Sequence, residues 1–249
     1  MESIKKNKII IVMPAYYAEK TLEKTIADIP KGLVSEIILV DDGSKDKTVK
    51  IAEKLELTIF QHFHNVGYGG NQKTCYWEAL KRKPDIIVML HPDYQYDSSF
   101  VGELIKPIIK GSYDIMLGNR IHNRDQVLLG GMPYYKYFAN RFLTILENIV
   151  MGQNLPEWHS GFRAFKSDVL EKVPFSRFSN DFIFDQEILV SAINFNYKIG
   201  TINVPCRYLP EASSINLKKS LIYGLGILIL LFQYIINKIN LIKNKRFLE

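Results

Sequence analysis

Asp41 and Asp42 close an apolar run in "ILVDDGSKDKT", and His91, Asp93 and Gln95 close another in "VMLHPDYQYD". Carboxylate and amide oxygens are hard donors suited to Mg2+ or Mn2+, which proteins often hold through few side chains plus a substrate's phosphates. Positions 91, 93 and 95 alternate, so an extended backbone puts all three on one side. A carboxylate at 41 or 42 can accept from a nucleobase N–H or a ribose hydroxyl, and Gly43 permits the positive φ of a close approach. Both stretches also have a plain structural alternative. Ser44 or Asp46 can cap a helix, and His91 can be a hydrogen-bonding group at an ordinary strand end. Farther on, "WHSGFRAF" offers His159, Ser160 and Arg163, and "FIFDQEIL" offers Asp185 and Glu187. Those two acids either cap a helix or act as a general base or acceptor-orienting group. Arg120, Arg124, Arg163 and Arg207 are cations of the type that grips phosphate in bidentate fashion.

Positioning these groups requires a regular frame, and the first half of the chain alternates. Residues 9–13, 36–40, 57–60, 86–90 and 115–117 read as strands; 21–29, 48–55, 100–109 and a run from the glycines at 67, 69 and 70 through Lys81 read as helices. Such alternation implies an α/β fold with a largely parallel sheet between two helical layers. Its ligand crevice lies at the carboxyl ends of the strands, where 14–16, 41–42, 91–93 and 118–120 would converge. "HNVGYGGNQKT" lacks the third glycine of a dinucleotide fingerprint and does not follow the first strand, which disfavours a dehydrogenase. Double acids after the second strand, not the first, disfavour a phosphoacceptor receiver domain. A sugar nucleotidyltransferase would want a Gly- and Arg-rich loop after the first strand, and that loop is missing.

The 249 residues are 47% apolar and 23% charged, as in a globular protein with a large core. Two cysteines far apart exclude a disulfide framework and fit a reducing compartment. The formal charge of +6 comes from eight basic residues against two acids beyond position 197. A neutral body argues against nucleic acid as partner and for a tail that meets something anionic. Within that tail, "SLIYGLGILILLFQYIIN" carries no charge and sits at the lower end of membrane-spanning length. Its polar positions (Ser220, Tyr223, Gln233, Tyr234, Asn237) lean to one side of a helical wheel. It can dock on the core or in a homo-oligomer interface, or it can lie in or cross a membrane. Residues 1–217 are thus expected to form one domain and 218–249 a basic-flanked apolar helix.

The series "IVMPAYYAEKTLEKTI", "EIILVDDGSKDKT", "HNVGYGGNQKT", "LHPDYQYD", "GNR", "SGFRAF" and "DQEIL" resembles, in this order, family 2 glycosyltransferases of the GT-A fold, and within them the dolichyl- or polyprenyl-phosphate sugar transferase branch. The resemblance covers residues 8 to 210. It implies an inverting transfer from a nucleoside-diphosphate sugar to a polyprenyl phosphate or lipid-linked glycan, with Mg2+ or Mn2+ on the diphosphate, at the cytoplasmic side of a membrane. By position it gives Pro14, Ala15, Tyr16, Glu19, Asp41, Asp42, Gly69, Asp93 and Arg120 to the donor and Asp93 and Gln95 to the metal. Asp93, Asp185, Glu187 and Arg163 fall to catalysis. Tyr17, Ala18 and His91 depart from the family pattern, His91 standing where the first metal-motif Asp is usual. A binding protein of the same fold without turnover is the alternative.

Overall fold

A computed structural model describes residues 7–121, 132–207 and 217–248; Arg124 lies outside them. Seven strands form one sheet: β1 (Ile9–Ala15), β2 (Glu36–Asp41), β3 (Thr58–Gln61), β4 (Ile86–Met89), β5 (Ile115–Asn119), β6 (Arg163–Lys166) and β7 (Ile199–Asn203). The helices are α1 (Leu22–Ala27), α2 (Thr48–Lys54), α3 (Tyr68–Leu80), α4 (Val101–Ile109), α5 (Tyr134–Met151), α6 (Ser167–Lys172), α7 (Phe184–Asn194) and α8 (Leu217–Lys238).

Strand order is β3-β2-β1-β4-β6-β5-β7. All pairings are parallel except those of β6, which runs antiparallel to both β4 and β5. β1 is buried along its whole length, and its alternation splits the core in two. Ile10 and Val12 face a layer with α3, α5, α6, α7 and α8, while Ile9, Ile11 and Met13 face one with α1, α2 and α4. The chain steps from β1 to β2 on one side and returns to β4 on the other. This reversal of strand order opens a crevice at the carboxyl ends of β1 and β4.

The five expected strands and their helices are present, with β1 running on to Ala15. β6 and β7 carry too little pattern to be read from sequence. "RAFK" is four residues with two cations, and it is held as a strand by neighbours on both sides. The tail helix α8 is not separate from the body: Ile227, Leu230, Leu231 and Tyr234 are buried in the same cluster as Ile10 and Val12.

Candidate active site

At the carboxyl end of β2 the two acids have divided their work. Asp42 is 2% exposed and turns inward. Its Oδ1 accepts from Val66 N–H at 2.9 Å and lies 2.8 Å from His62 Nδ1, and its Oδ2 accepts from Gly67 N–H at 3.2 Å. It organises the loop that leads into α3. Asp41, 1% exposed, accepts from Ser44 N–H through Oδ2, but its Oδ1 is buried with no protein partner among the described residues. Asn71 on α3 spans Val40 O and Ala15 O with its amide nitrogen, and its Oδ1 is likewise buried and unpaired. Buried acceptors without donors are uncommon in native proteins and signal a missing ligand or water.

The segment after β1 frames the same end. Tyr16 is half exposed, Tyr17 takes φ 53°, and their rings meet edge to face at 4.5 Å. Glu19 accepts from Lys47 N–H at the start of α2, so it holds the frame instead of reaching into the crevice. Gly69 is required by packing. A Cβ there would stand 2.6 Å from Ser179 O and 2.7 Å from Phe184 Cβ, distances no side chain tolerates.

Beyond β4 the chain does not continue extended, as alternation of 91, 93 and 95 had implied. It turns, with Tyr94 at φ 58° and Asp93 Oδ1 accepting from Gln95 N–H at 3.0 Å. Gln95 is buried, and Asp93 is partly exposed with its Oδ2 unpaired among the described residues. No group of three His, Cys, Asp or Glu capable of holding a metal occurs among the described residues. One outward carboxylate oxygen, with a neighbouring amide, fits a hard cation whose remaining ligands come from a diphosphate. Arg207 lies over the Tyr94 ring at 4.3 Å and pairs with Asp97 at 3.3 Å, and its Nη1 is buried without a hydrogen-bond partner among the described residues.

His91 lies beside Gly161, where a Cβ would come within 2.9 Å of its ring. Its Nε2 is 3.2 Å from Tyr68 Oη, and Tyr68 donates its proton to Asp185 Oδ2 at 2.7 Å. The phenol has one proton, so its oxygen accepts from His91 Nε2–H, which fixes the tautomer and leaves Nδ1 as an acceptor. Burial pushes the His91 pKa down, with Asp93 and Asp185 pulling up and Arg163 pushing down, and the net shift favours a neutral ring. Burial and the Asp185 carboxylate push Tyr68 well up, keeping it a donor.

Asp185 is held from every side. Tyr68 and Gln72, one turn apart on α3, take its two oxygens at 2.7 and 3.1 Å. Arg163 Nη1 lies 3.5 Å from Oδ1 and donates to the Asp185 carbonyl, while its Nε donates to Ser160 O. Arg163, 1% exposed, is therefore committed to positioning. Arg120 is similarly engaged: Glu157 takes its backbone N–H and its guanidinium, and His159 O takes another N–H. Burial would raise the Glu157 pKa, but Arg120 more than offsets it and holds the carboxyl below its usual range. Glu187 is not in the crevice. It sits two residues from Asp185, on the other side of α7, where it accepts from Ser179 N–H at 2.6 Å and pairs with Arg246 at 2.7 Å.

Residues 10–174 match the sequence pattern of glycosyl transferase family 2. The chain belongs to that family. An uncharacterised protein of Methanocaldococcus jannaschii is 30% identical to this transferase over 96% of both chains. The UDP-N-acetylglucosamine–dolichyl-phosphate N-acetylglucosaminyltransferase of Methanococcus voltae is 27% identical, over 80% of this chain and 86% of its own. Among solved structures, glucosyl-3-phosphoglycerate synthase of Mycobacterium tuberculosis bound to Mn2+, UDP and phosphoglyceric acid superposes with a TM-score of 0.69 at 17% identity. That match covers 96% of this chain and 80% of the other. It establishes the GT-A fold. The protein is a nucleotide-sugar-dependent glycosyltransferase on that fold, and its sequence resembles the branch that includes the dolichyl-phosphate transferase of Methanococcus voltae.

Of the transferase's expected site residues, the structure sets Pro14, Ala15, Tyr16 and Asp41 at the carboxyl ends of β1 and β2 and Asp93 and Gln95 in the turn after β4, and it links Asp185 through Tyr68 to His91. It commits Glu19, Asp42, Gly69, Arg120, Arg163 and Glu187 to holding the crevice in shape. Tyr68, Asn71 and Gln72 carry no assigned role in the sequence reading. Their spacing, at 68, 71 and 72 and continued by Cys75, is the signal that marks one inward face of α3.

Proposed function

We propose that this transferase moves a sugar, with inversion, from a nucleoside-diphosphate donor onto the phosphate of a polyprenyl lipid at the cytoplasmic face of a membrane. The observation that carries the acceptor class is the grip on Asp185. A hydroxyl acceptor must lose a proton as it attacks, which calls for a base with an open oxygen. Asp185 is 7% exposed, its two oxygens already accept from Tyr68 and Gln72 with Arg163 3.5 Å from one of them, and Glu187 is on the far side of its helix, which supports an acceptor that brings no proton to remove. A phosphate acceptor arrives already ionised and needs no base.

The donor's nucleoside is assigned to the β1–β2 end, where Asp41 Oδ1 and Asn71 Oδ1 offer buried acceptors to base or ribose donors. Its diphosphate is assigned to the 91–95 turn. Asp93, with Gln95, would hold Mg2+ or Mn2+, which when bound neutralises charge growing on the leaving diphosphate. Arg207, stacked on Tyr94 in that turn, is an adjacent cation whose Nη1 has no hydrogen-bond partner among the described residues. The acceptor phosphate oxygen forms a bond to the anomeric carbon as the bond to the diphosphate oxygen breaks and its electron pair leaves with that oxygen. Attack from the face opposite the leaving group gives inversion.

Calorimetry with UDP and GDP tests the donor end. Binding strengthened by Mn2+ in the native protein, and no longer strengthened in Asp93→Asn, is the expected result. Metal-indifferent binding, with no turnover of any nucleotide sugar, would favour a non-catalytic binding protein instead.

A further inference from the structure

α8 turns its polar residues inward beside a short buried apolar stripe and leaves much of its apolar surface outside. In a water-soluble helix the polar stripe faces solvent and the apolar stripe faces the core. Here Tyr223, Gln233, Tyr234 and Asn237 turn toward the protein. Tyr223 Oη bonds His159 Nδ1 at 3.0 Å and Gln186 Nε2 at 2.9 Å, and Gln233 and Asn237 bond Arg246 and Asn244. Leu221, Leu225 and Phe232 face outward, 68%, 59% and 63% exposed. α5 packs beside it, Leu143 against Gly224, and presents its own outward row of Phe138, Phe142 and Ile149. Two packed helices thus each leave a row of apolar side chains exposed, which is more than singly scattered surface apolars.

The charges around this face are of one sign. Residues 132–151 and 217–248 contain a single acid, Glu147, and it is fully buried. Lys218 and Lys219 stand at one end of α8 and Lys238, Lys243 and Lys245 at the other, all exposed. A second copy of the chain complements such a surface poorly: a two-fold pairing along α8 sets lysines near lysines, and residues 132–151 and 217–248 hold no exposed acid to separate them. A layer of anionic headgroups over hydrocarbon matches both the apolar face and its cationic ends.

α8 is long and apolar enough to cross a bilayer, but its packing fixes how it lies. Ile227, Leu230, Leu231 and Tyr234, at mid-helix, are buried in the main core, and Tyr223 and Gln233 are bonded to it. Spanning would strip all of these contacts. We infer that α5 and α8 together form a docking face that lies in the plane of an anionic lipid surface, without crossing it. The face begins next to the crevice. Lys219 Nζ sits 5.6 Å from the centre of the Phe182 ring, Phe182 stacks on Tyr68 at 4.6 Å, and Tyr68 holds Asp185. Docking therefore sets the crevice at headgroup depth, where a lipid phosphate resides. In this last step the inference rests on the acceptor reading above.

Vesicle flotation of the full chain tests it, using phosphatidylglycerol/phosphatidylcholine mixtures against phosphatidylcholine alone. The protein is expected to float with the anionic vesicles and to be released by salt. A double variant on α5, Phe142→Glu with Ile149→Glu, should lose at least about tenfold in partitioning, since carboxylates resist entry into the interface. Its melting temperature and its binding of UDP or GDP should stay as in the native protein. Lys218→Gln with Lys219→Gln should reduce flotation and its salt dependence together. Flotation of the α5 variant like the native chain would overturn the inference. So would a native chain that stays off the vesicles, or one that sediments as a dimer which the α5 variant dissociates. Transfer to a short-chain, water-soluble prenyl phosphate separates the two proposals. Transfer without flotation leaves the acceptor reading standing alone, and flotation without transfer leaves the docking face standing alone.

Discussion

Asp41 and Asp42 are adjacent and chemically identical, yet one is spent on the fold and the other is left with a bare buried oxygen. Sequence shows the pair but not the division, because the division depends on where the 62–67 loop returns its N–H groups. The same holds at 91–95, where Asp93 is legible as a ligand but the turn through Tyr94 is not. Asp93 is partly exposed and makes one local hydrogen bond within the turn. Asp93→Asn is therefore expected to lower sugar transfer by more than about 100-fold, the scale of losing a group aimed at developing charge, with the melting temperature nearly unchanged. Activity assays beside thermal melts check this, and a large drop in melting temperature would make Asp93 structural. His91 turns Nε2 toward Tyr68, so the residue standing in place of the family's usual acid joins a hydrogen-bond chain ending at Asp185.

At the scale of elements, α7 explains why two acids in "DQEIL" have different fates. Two residues apart on a helix they point to opposite sides, and the sequence alone does not say which side faces the crevice. Glu187, 2% exposed, serves to tie the 178–180 segment and Arg246 to the body. Glu187→Gln should lower the melting temperature by several degrees, on the scale of about 2–4 °C per kcal/mol for a chain of this size. At saturating donor, kcat should not change. Loss of kcat with an unchanged melt would return Glu187 to the chemistry. α5, α7 and α8 meet at a second buried cluster, Glu147, His159, Gln186 and Tyr223. None of its spacing is visible in the sequence, since three helices and the loop that carries His159 supply it.

That cluster sets a pH dependence. Burial, with Glu157 pulling up and Arg120 and Arg163 pushing down, drives the His159 pKa from its usual 6.5 down to about 3. Between those values the unfolded chain binds a proton that the native chain refuses, so stability is lost as pH falls from 6.5 toward 3. Glu147, pushed up by burial, has the opposite slope above pH 4.5. Comparing the native chain with His159→Gln separates them: the variant's melting temperature should fall less between pH 6.5 and 4. Parallel curves would remove His159 as the cause.

On the scale of the whole molecule, the alternation of the first half announces the parallel sheet and its crevice before any coordinates. The antiparallel β6 and the inward polar stripe of α8 are set by tertiary neighbours. The polar wheel positions of α8 are legible, but which way they face is decided by His159, Gln186 and Arg246, which come from elsewhere in the chain. On the function and docking face proposed above, sheet, crevice and apolar face together make an enzyme that draws its donor from water and its acceptor from a lipid surface. The most direct measurement offers the purified transferase a panel of nucleotide sugars with Mn2+ and, in parallel, a polyprenyl phosphate and the matching polyprenol. Sugar should appear on the phosphate, with inverted anomeric configuration, and not on the alcohol, and chelation of the metal should stop it. Sugar on the alcohol or another hydroxyl but not on the phosphate, or no donor turned over at all, would contradict it.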